Sequence, residues 1–222
     1  MVSVIIVAGG KGLRMGGEIP KQFLPIGGVP VLMRTIRAFY EADEGMRIIV
    51  VIPESQQEMW TALCGKYRFC IPHKLAYGGA NRYESVRNGL MLVDDSDGVV
   101  CVHDGVRPFV SGQVIRTAVA EARKGKAVVP VVPVIDSLRE YVGGQRTKVV
   151  NRADYCMVQT PQVFPVKMLR TAYDMPYDET FTDDASVVER AGETICTIEG
   201  NRENIKLTTS MDLLVAEALL AK

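Results

Sequence analysis

Arg14 and Lys21 follow a glycine-rich stretch near the N-terminus, Ala8-Gly9-Gly10-Lys11-Gly12-Leu13-Arg14-Met15, with Pro20-Lys21-Gln22 soon after. Glycines at the end of a first strand let the backbone approach a ligand closely and aim N–H groups at phosphate oxygens. An arginine there offers a planar fork to bridge such oxygens, and a lysine adds a compact charge. Together these types suit phosphoryl or nucleotidyl transfer, where catalysis is mostly positioning and cationic stabilisation of oxygens around the reacting phosphorus. Two common glycine motifs are excluded by counting. A dinucleotide fingerprint needs a small residue where Met15 stands, and a P-loop needs Gly-Lys-Ser/Thr. Taken alone, the glycines also fit a strand-to-loop turn with solvated charges.

Further along, His103-Asp104-Gly105-Val106-Arg107-Pro108 ends an apolar run. A carboxylate at the carboxyl end of a parallel strand lies where open α/β sheets bind ligands. Asp104 suits Mg²⁺, which takes few protein carboxylates and several phosphate oxygens. The plainer alternative is a strand-end turn closed by an Asp104–Arg107 ion pair. His103, a lone histidine at a strand end, reads as structural. Four other blocks stand out: Gly78-Gly79-Ala80-Asn81-Arg82-Tyr83-Glu84-Ser85-Val86; Asn151-Arg152 with Gln159-Thr160-Pro161-Gln162-Val163-Phe164; Phe181-Thr182-Asp183-Asp184-Ala185-Ser186; and Asn204-Ile205-Lys206-Leu207-Thr208. Asp183 could cap the helix that follows it.

The elements that must position these residues are short β-branched runs alternating with helical patterns. Val2–Ala8, Arg47–Pro53, Val99–His103 and Ala127–Pro133 read as buried strands. Val31–Tyr40, Ser55–Tyr67, Tyr83–Val93 and Gly112–Lys124 read as helices. Strands apolar on both faces and separated by helices predict an α/β fold, a Rossmann-like, mainly parallel sheet with helices on both faces. Ser111 suits an N-cap, and Thr209-x-x-Asp212 suits a capping box. One stretch breaks the rhythm: Ser137–Val142, Gly143-Gly144 and Arg146–Val150 predict a polar β-hairpin. An isolated hairpin is marginally stable, which favours an arm packing on a second subunit over a mobile surface excursion. The organisation expected is a single domain over 1–222 with that arm at about 136–152.

Composition narrows the function classes. Lys plus Arg (26) equals Asp plus Glu (26), so no broad basic field exists to hold a nucleic acid. Cys64, Cys70, Cys101, Cys156 and Cys196 show no metal or redox spacing and read as reduced core thiols of a cytoplasmic protein. No apolar run approaches a membrane span, and the N-terminus reads as a first strand rather than a signal peptide.

The glycine-rich string with Arg14 and Lys21 resembles that of the sugar-phosphate nucleotidyltransferases. With the other blocks, in order along nearly the whole chain, it resembles the methylerythritol-phosphate cytidylyltransferase family. That resemblance implies transfer of CMP from CTP to a sugar-alcohol phosphate, with Mg²⁺ as cofactor and a homodimer formed through the arm. It implies catalytic cations at Arg14, Lys21 and Lys206. Nucleotide contacts would come from Ala8, Gly9, Gly10 and Gly12, from Gly79, Arg82 and Ser85, and from Asp104. Acceptor contacts would come from Asp104, Arg107, Ser137, Arg152, Thr160 and Thr182, with Arg152 reaching into the neighbouring subunit. Asn151 departs from the commoner Asp, and Ser137 stands where Thr is frequent. A ribitol-phosphate cytidylyltransferase shares most of these blocks, and a nucleotide-binding protein without turnover would keep the fold.

Overall fold

The computed structural model describes residues 1–9, 19–94 and 96–221. In chain order the elements are β1 (Val2–Val7), β2 (Pro25–Ile26), β3 (Val29–Pro30), α1 (Val31–Ala42), β4 (Arg47–Ile52), α2 (Gln57–Lys66), β5 (Lys74–Tyr77) and α3 (Arg82–Leu90). Then come β6 (Val99–Asp104), α4 (Gly112–Ala122), β7 (Ala127–Pro133), β8 (Arg139–Gly143), β9 (Arg146–Val149), β10 (Cys156–Val158) and β11 (Gln162–Pro165). The chain closes with α5 (Val166–Tyr173), α6 (Asp184–Arg190), β12 (Ile195–Glu199) and α7 (Ser210–Leu220).

Eight strands form one sheet in the order β10-β7-β11-β6-β1-β4-β5, with β12 also paired to β7. β1 runs parallel to β4 and β6, β4 to β5, and β12 to β7, while β10 and β11 are antiparallel to their neighbours. The fold is therefore the expected mainly parallel α/β sheet. Successive side chains of a strand point to opposite faces, and both faces are covered. Val4, Ile6 and Val50 pack with Leu32, Phe39, Trp60 and Ile115 on one side. Ile5, Val51 and Val102 pack with Val86, Leu169 and Val188 on the other. That double burial explains the nearly continuous apolar runs of the central strands.

Local end signals behave as expected. The Ser111 side chain caps α4, Asp183 caps α6, and Thr209 with Asp212 forms a reciprocal capping box on α7. The hairpin is present as β8 and β9, but shorter than its sequence pattern, and Gly143 belongs to the strand beside a register shift. Every residue of β8 is exposed. The cysteines correct one expectation, because only Cys101 is buried. Cys64 and Cys196 are half-buried, and Cys70 and Cys156 are exposed.

Candidate active site

Loops from the carboxyl ends of β1, β5 and β6 converge. Ala8 donates its N–H to Val51 O (2.8 Å), Gly78 to Ile52 O (2.9 Å) and Gly105 to Val7 O (2.8 Å). A Cβ at Gly105 would sit 2.8 Å from Ala8 Cβ, so only glycine lets these two loops touch. A Cβ at Gly79 would collide with Glu84. The loop before α3 is held internally: Gly79 N–H donates to Ser85 Oγ (3.1 Å), which donates to Asn81 O (2.8 Å). The Asn81 side chain caps α3 by accepting from Glu84 N–H (2.8 Å).

Lys21 opens a single 3-10 turn, Lys21–Phe23, whose other two residues are buried. Gln22 Nε2 donates to Ala8 O (3.0 Å) and to Gln56 Oε1 (2.7 Å), so it ties the backbone carrying Lys21 to the end of β1. The sequence pattern gives Gln22 no role of its own. Its only signal was a glutamine beside the lysine.

Asp104, at the end of β6, is the electrostatic centre. Lys206 Nζ lies 3.0 Å and Arg107 Nε 3.1 Å from its Oδ2, and Arg82 Nε lies 3.9 Å from its Oδ1. Burial alone would raise this carboxyl. The charges of Lys206, Arg82 and Arg107 outweigh it and hold the group well below the usual carboxylate range. Lys206 comes from the irregular segment before α7, anchored where Leu207 N–H meets Val106 O (2.9 Å). Arg107 Nη1 also donates to Asn204 O (2.8 Å), and Asn204 Nδ2 to Thr160 O (2.8 Å).

Behind Asp104 lies a second ionic layer. Arg82 makes a fork of two hydrogen bonds to the fully buried Asp184, at 3.0 and 2.6 Å. Burial works against the guanidinium charge, and Asp184 more than restores it. Tyr173 Oη donates to the same carboxylate at 2.7 Å. Gln162 reaches the start of α6 through Asp183 Oδ2 (2.7 Å) and Ala185 N–H (2.8 Å). Cations from four separate segments thus stand at one end of the sheet, an arrangement suited to a polyanionic ligand.

The comparisons with known proteins agree. The family model for IspD, 2-C-methyl-D-erythritol 4-phosphate cytidylyltransferase, matches residues 2–222. The chain belongs to this family. It is 56% identical to the 2-C-methyl-D-erythritol 4-phosphate cytidylyltransferase of Phocaeicola vulgatus, over 98% of each chain. The crystal structure of 4-diphosphocytidyl-2C-methyl-D-erythritol synthase from Anaerococcus prevotii is similar at a TM-score of 0.85 and 28% identity, covering 100% of this chain and 98% of that one. The cytidylyltransferase of Thermus thermophilus is similar at a TM-score of 0.77 and 31% identity, covering 99% and 98%.

Within this cytidylyltransferase frame, the structure gathers Asp104, Arg107, Lys206 and Arg82. Gly10, Gly12 and Arg14 lie outside the described residues. Ala8 and Gly9 end β1 beside Ser85, where a Cβ on Gly9 would sit 3.3 Å from its Oγ. Ser85 is 3% exposed, and its hydroxyl holds the Gly79–Asn81 backbone. Thr160 is likewise buried, its hydroxyl engaged by Asp104 N–H and His103. Thr182 is exposed at the start of α6, with its N–H on Ser186 Oγ (3.1 Å). Ser137 and Arg152 are exposed beside the arm, and Arg152 Nη1 donates to Ile135 O. Among the described residues no ion pair or hydrogen bond links either to Asp104. Asp184 and Asn204 received no role from sequence, because each acts through partners far away in the chain.

Proposed function

We propose that this chain transfers CMP from CTP to 2-C-methyl-D-erythritol 4-phosphate, releasing pyrophosphate. The observation that carries the reading is the Asp104–Lys206–Arg107–Arg82 cluster at the sheet's carboxyl end, in a chain that matches the family from end to end. The triphosphate lies along the glycine loop, with Arg14, Lys21 and Lys206 stabilising charge at the α-phosphorus. Gly79, Ser85 and the α3 start form the wall for the nucleoside. An oxygen of the acceptor phosphate attacks the α-phosphorus in line. The bond to the bridging oxygen breaks, and pyrophosphate leaves with the electron pair. The acceptor phosphate is ionised near neutral pH, so no side-chain nucleophile or base is needed.

Asp104 fits a divalent cation through its Oδ1 side. Its Oδ2 is engaged by two cations and its Oδ1 has no donor within hydrogen-bond distance among the described residues. No group of three or more His, Cys, Asp or Glu among those residues could hold a metal. Mg²⁺ would therefore take Oδ1 as its protein ligand and complete its shell from phosphate oxygens and water. When bound, it would screen the triphosphate charge.

A homodimer completes the acceptor side. Tyr141 (76% exposed) and Val149 (74%) on the arm, with Ile135, Tyr155 and Met157 beside it, give an apolar surface that a second copy would cover. From there Arg152 and Ser137 would reach the partner's acceptor pocket, opposite Thr182 and Arg107. The enzyme is expected to work in the cytoplasm, and no helix among the described residues is long and apolar enough to cross a membrane. Lys21→Ala tests the catalytic assignment: kcat with CTP should fall at least about a hundredfold, and a near-normal kcat would refute it.

A further inference from the structure

We infer that His103 is a positioning residue for the acceptor site: its neutral ring is the strut that holds the Asp104–Arg107 turn in its working shape. The ring is fully buried and edge-on to Phe39, with centroids 4.8 Å apart. Its Nε2 lies 3.0 Å from Arg107 O, and a carbonyl oxygen can only accept. Nε2 therefore carries the proton. In a neutral ring Nδ1 is then the acceptor, taking the hydroxyl proton of Thr160 at 3.0 Å. The Thr160 oxygen in turn accepts the Asp104 N–H at 3.1 Å.

Both ends of the turn are thereby fixed to one ring. Asp104 is tied by its N–H through Thr160, and Arg107 by its carbonyl directly. The turn's own Arg107 N–H to Asp104 O bond (3.0 Å) sits between them. With both ends fixed, Arg107 Nε and Lys206 Nζ meet on the same oxygen of Asp104. His103 is kept from solvent, so it acts through the Asp104–Arg107 turn that it holds. A small displacement of those two groups is enough to cost much of the rate.

This inference rests on the cytidylyltransferase reading, and its test separates the two. Long-range proton–nitrogen NMR of the intact protein should show His103 protonated at Nε2, whatever the activity. His103→Phe keeps a ring but removes both hydrogen bonds, whereas His103→Gln keeps a donor for Arg107 O. In pyrophosphate-release assays, His103→Phe should lower kcat/KM for the acceptor at least about tenfold and be partly rescued by His103→Gln. An Nδ1–H tautomer would overturn the inference. So would Phe and Gln variants that behave alike. Should His103→Phe fail to fold, His103→Gln and the NMR spectrum decide the matter. Wild-type protein without turnover would sink the functional reading instead, leaving the tautomer result standing.

Discussion

Arg82 and Asp184, 102 positions apart, form a two-pronged ion pair that joins the start of α3 to the start of α6 directly behind Asp104. The carboxylate is fully buried and shared with Tyr173. Removing one partner of such a pair leaves an uncompensated charge. Asp184→Asn should therefore cost roughly 3 kcal/mol of stability, read as a lower urea midpoint. An unchanged midpoint would mean that Arg82 finds water instead.

Lys206 is the cation nearest Asp104 that remains substantially exposed, with 43% of its side chain open to solvent. Lys206→Met keeps the chain length and removes the charge. The Asp104 carboxyl should then titrate higher, and kcat should fall by about a hundredfold. Steady-state kinetics at saturating CTP check this, and a kcat near wild type would assign Lys206 to Asp104 alone.

His103 gives the protein a predictable acid response. Burial pushes its pKa down to about 4 from an ordinary 6.5. Above pH 6.5 both folded and unfolded states are neutral at this group, and its contribution is constant. As pH falls from 6.5 towards 4, the unfolded chain takes up a proton that the native ring refuses. Stability should decline by about 3 kcal/mol across that window, and His103→Gln should flatten the decline. Urea titrations at pH 7 and pH 4.5 measure it; parallel slopes in the two proteins would contradict it.

How much of this was legible in the sequence follows from range. β1, β4, β6 and β7 were readable because double-sided burial writes unbroken apolar runs. β10 was not, since its three residues are all exposed, and β11 and β12 are too short to show a period. The caps at Ser111, Asp183 and Thr209 were readable because each acts within three residues. Asp104, Arg107 and Lys206 stood out as charged residues in recognisable blocks. Gln22, Asn204 and Asp184 did not, because their partners are set by tertiary folding. Arg107 pairs with Asp104 as the plainer reading of that block expected, so the ion pair and the site are the same feature.

The arm's exposure leads to an association prediction. Tyr141→Asp with Val149→Asp should shift the protein from dimer to monomer in sedimentation velocity and lower acceptor turnover. Wild-type protein that sediments as a monomer would remove the partner's Arg152 from the site.

The acceptor decides the reaction, and pyrophosphate release with CTP and Mg²⁺ identifies it when 2-C-methyl-D-erythritol 4-phosphate and ribitol 5-phosphate are offered separately. Turnover should occur with the first and little with the second. Turnover with ribitol 5-phosphate alone, or with neither despite tight CTP binding, would contradict it.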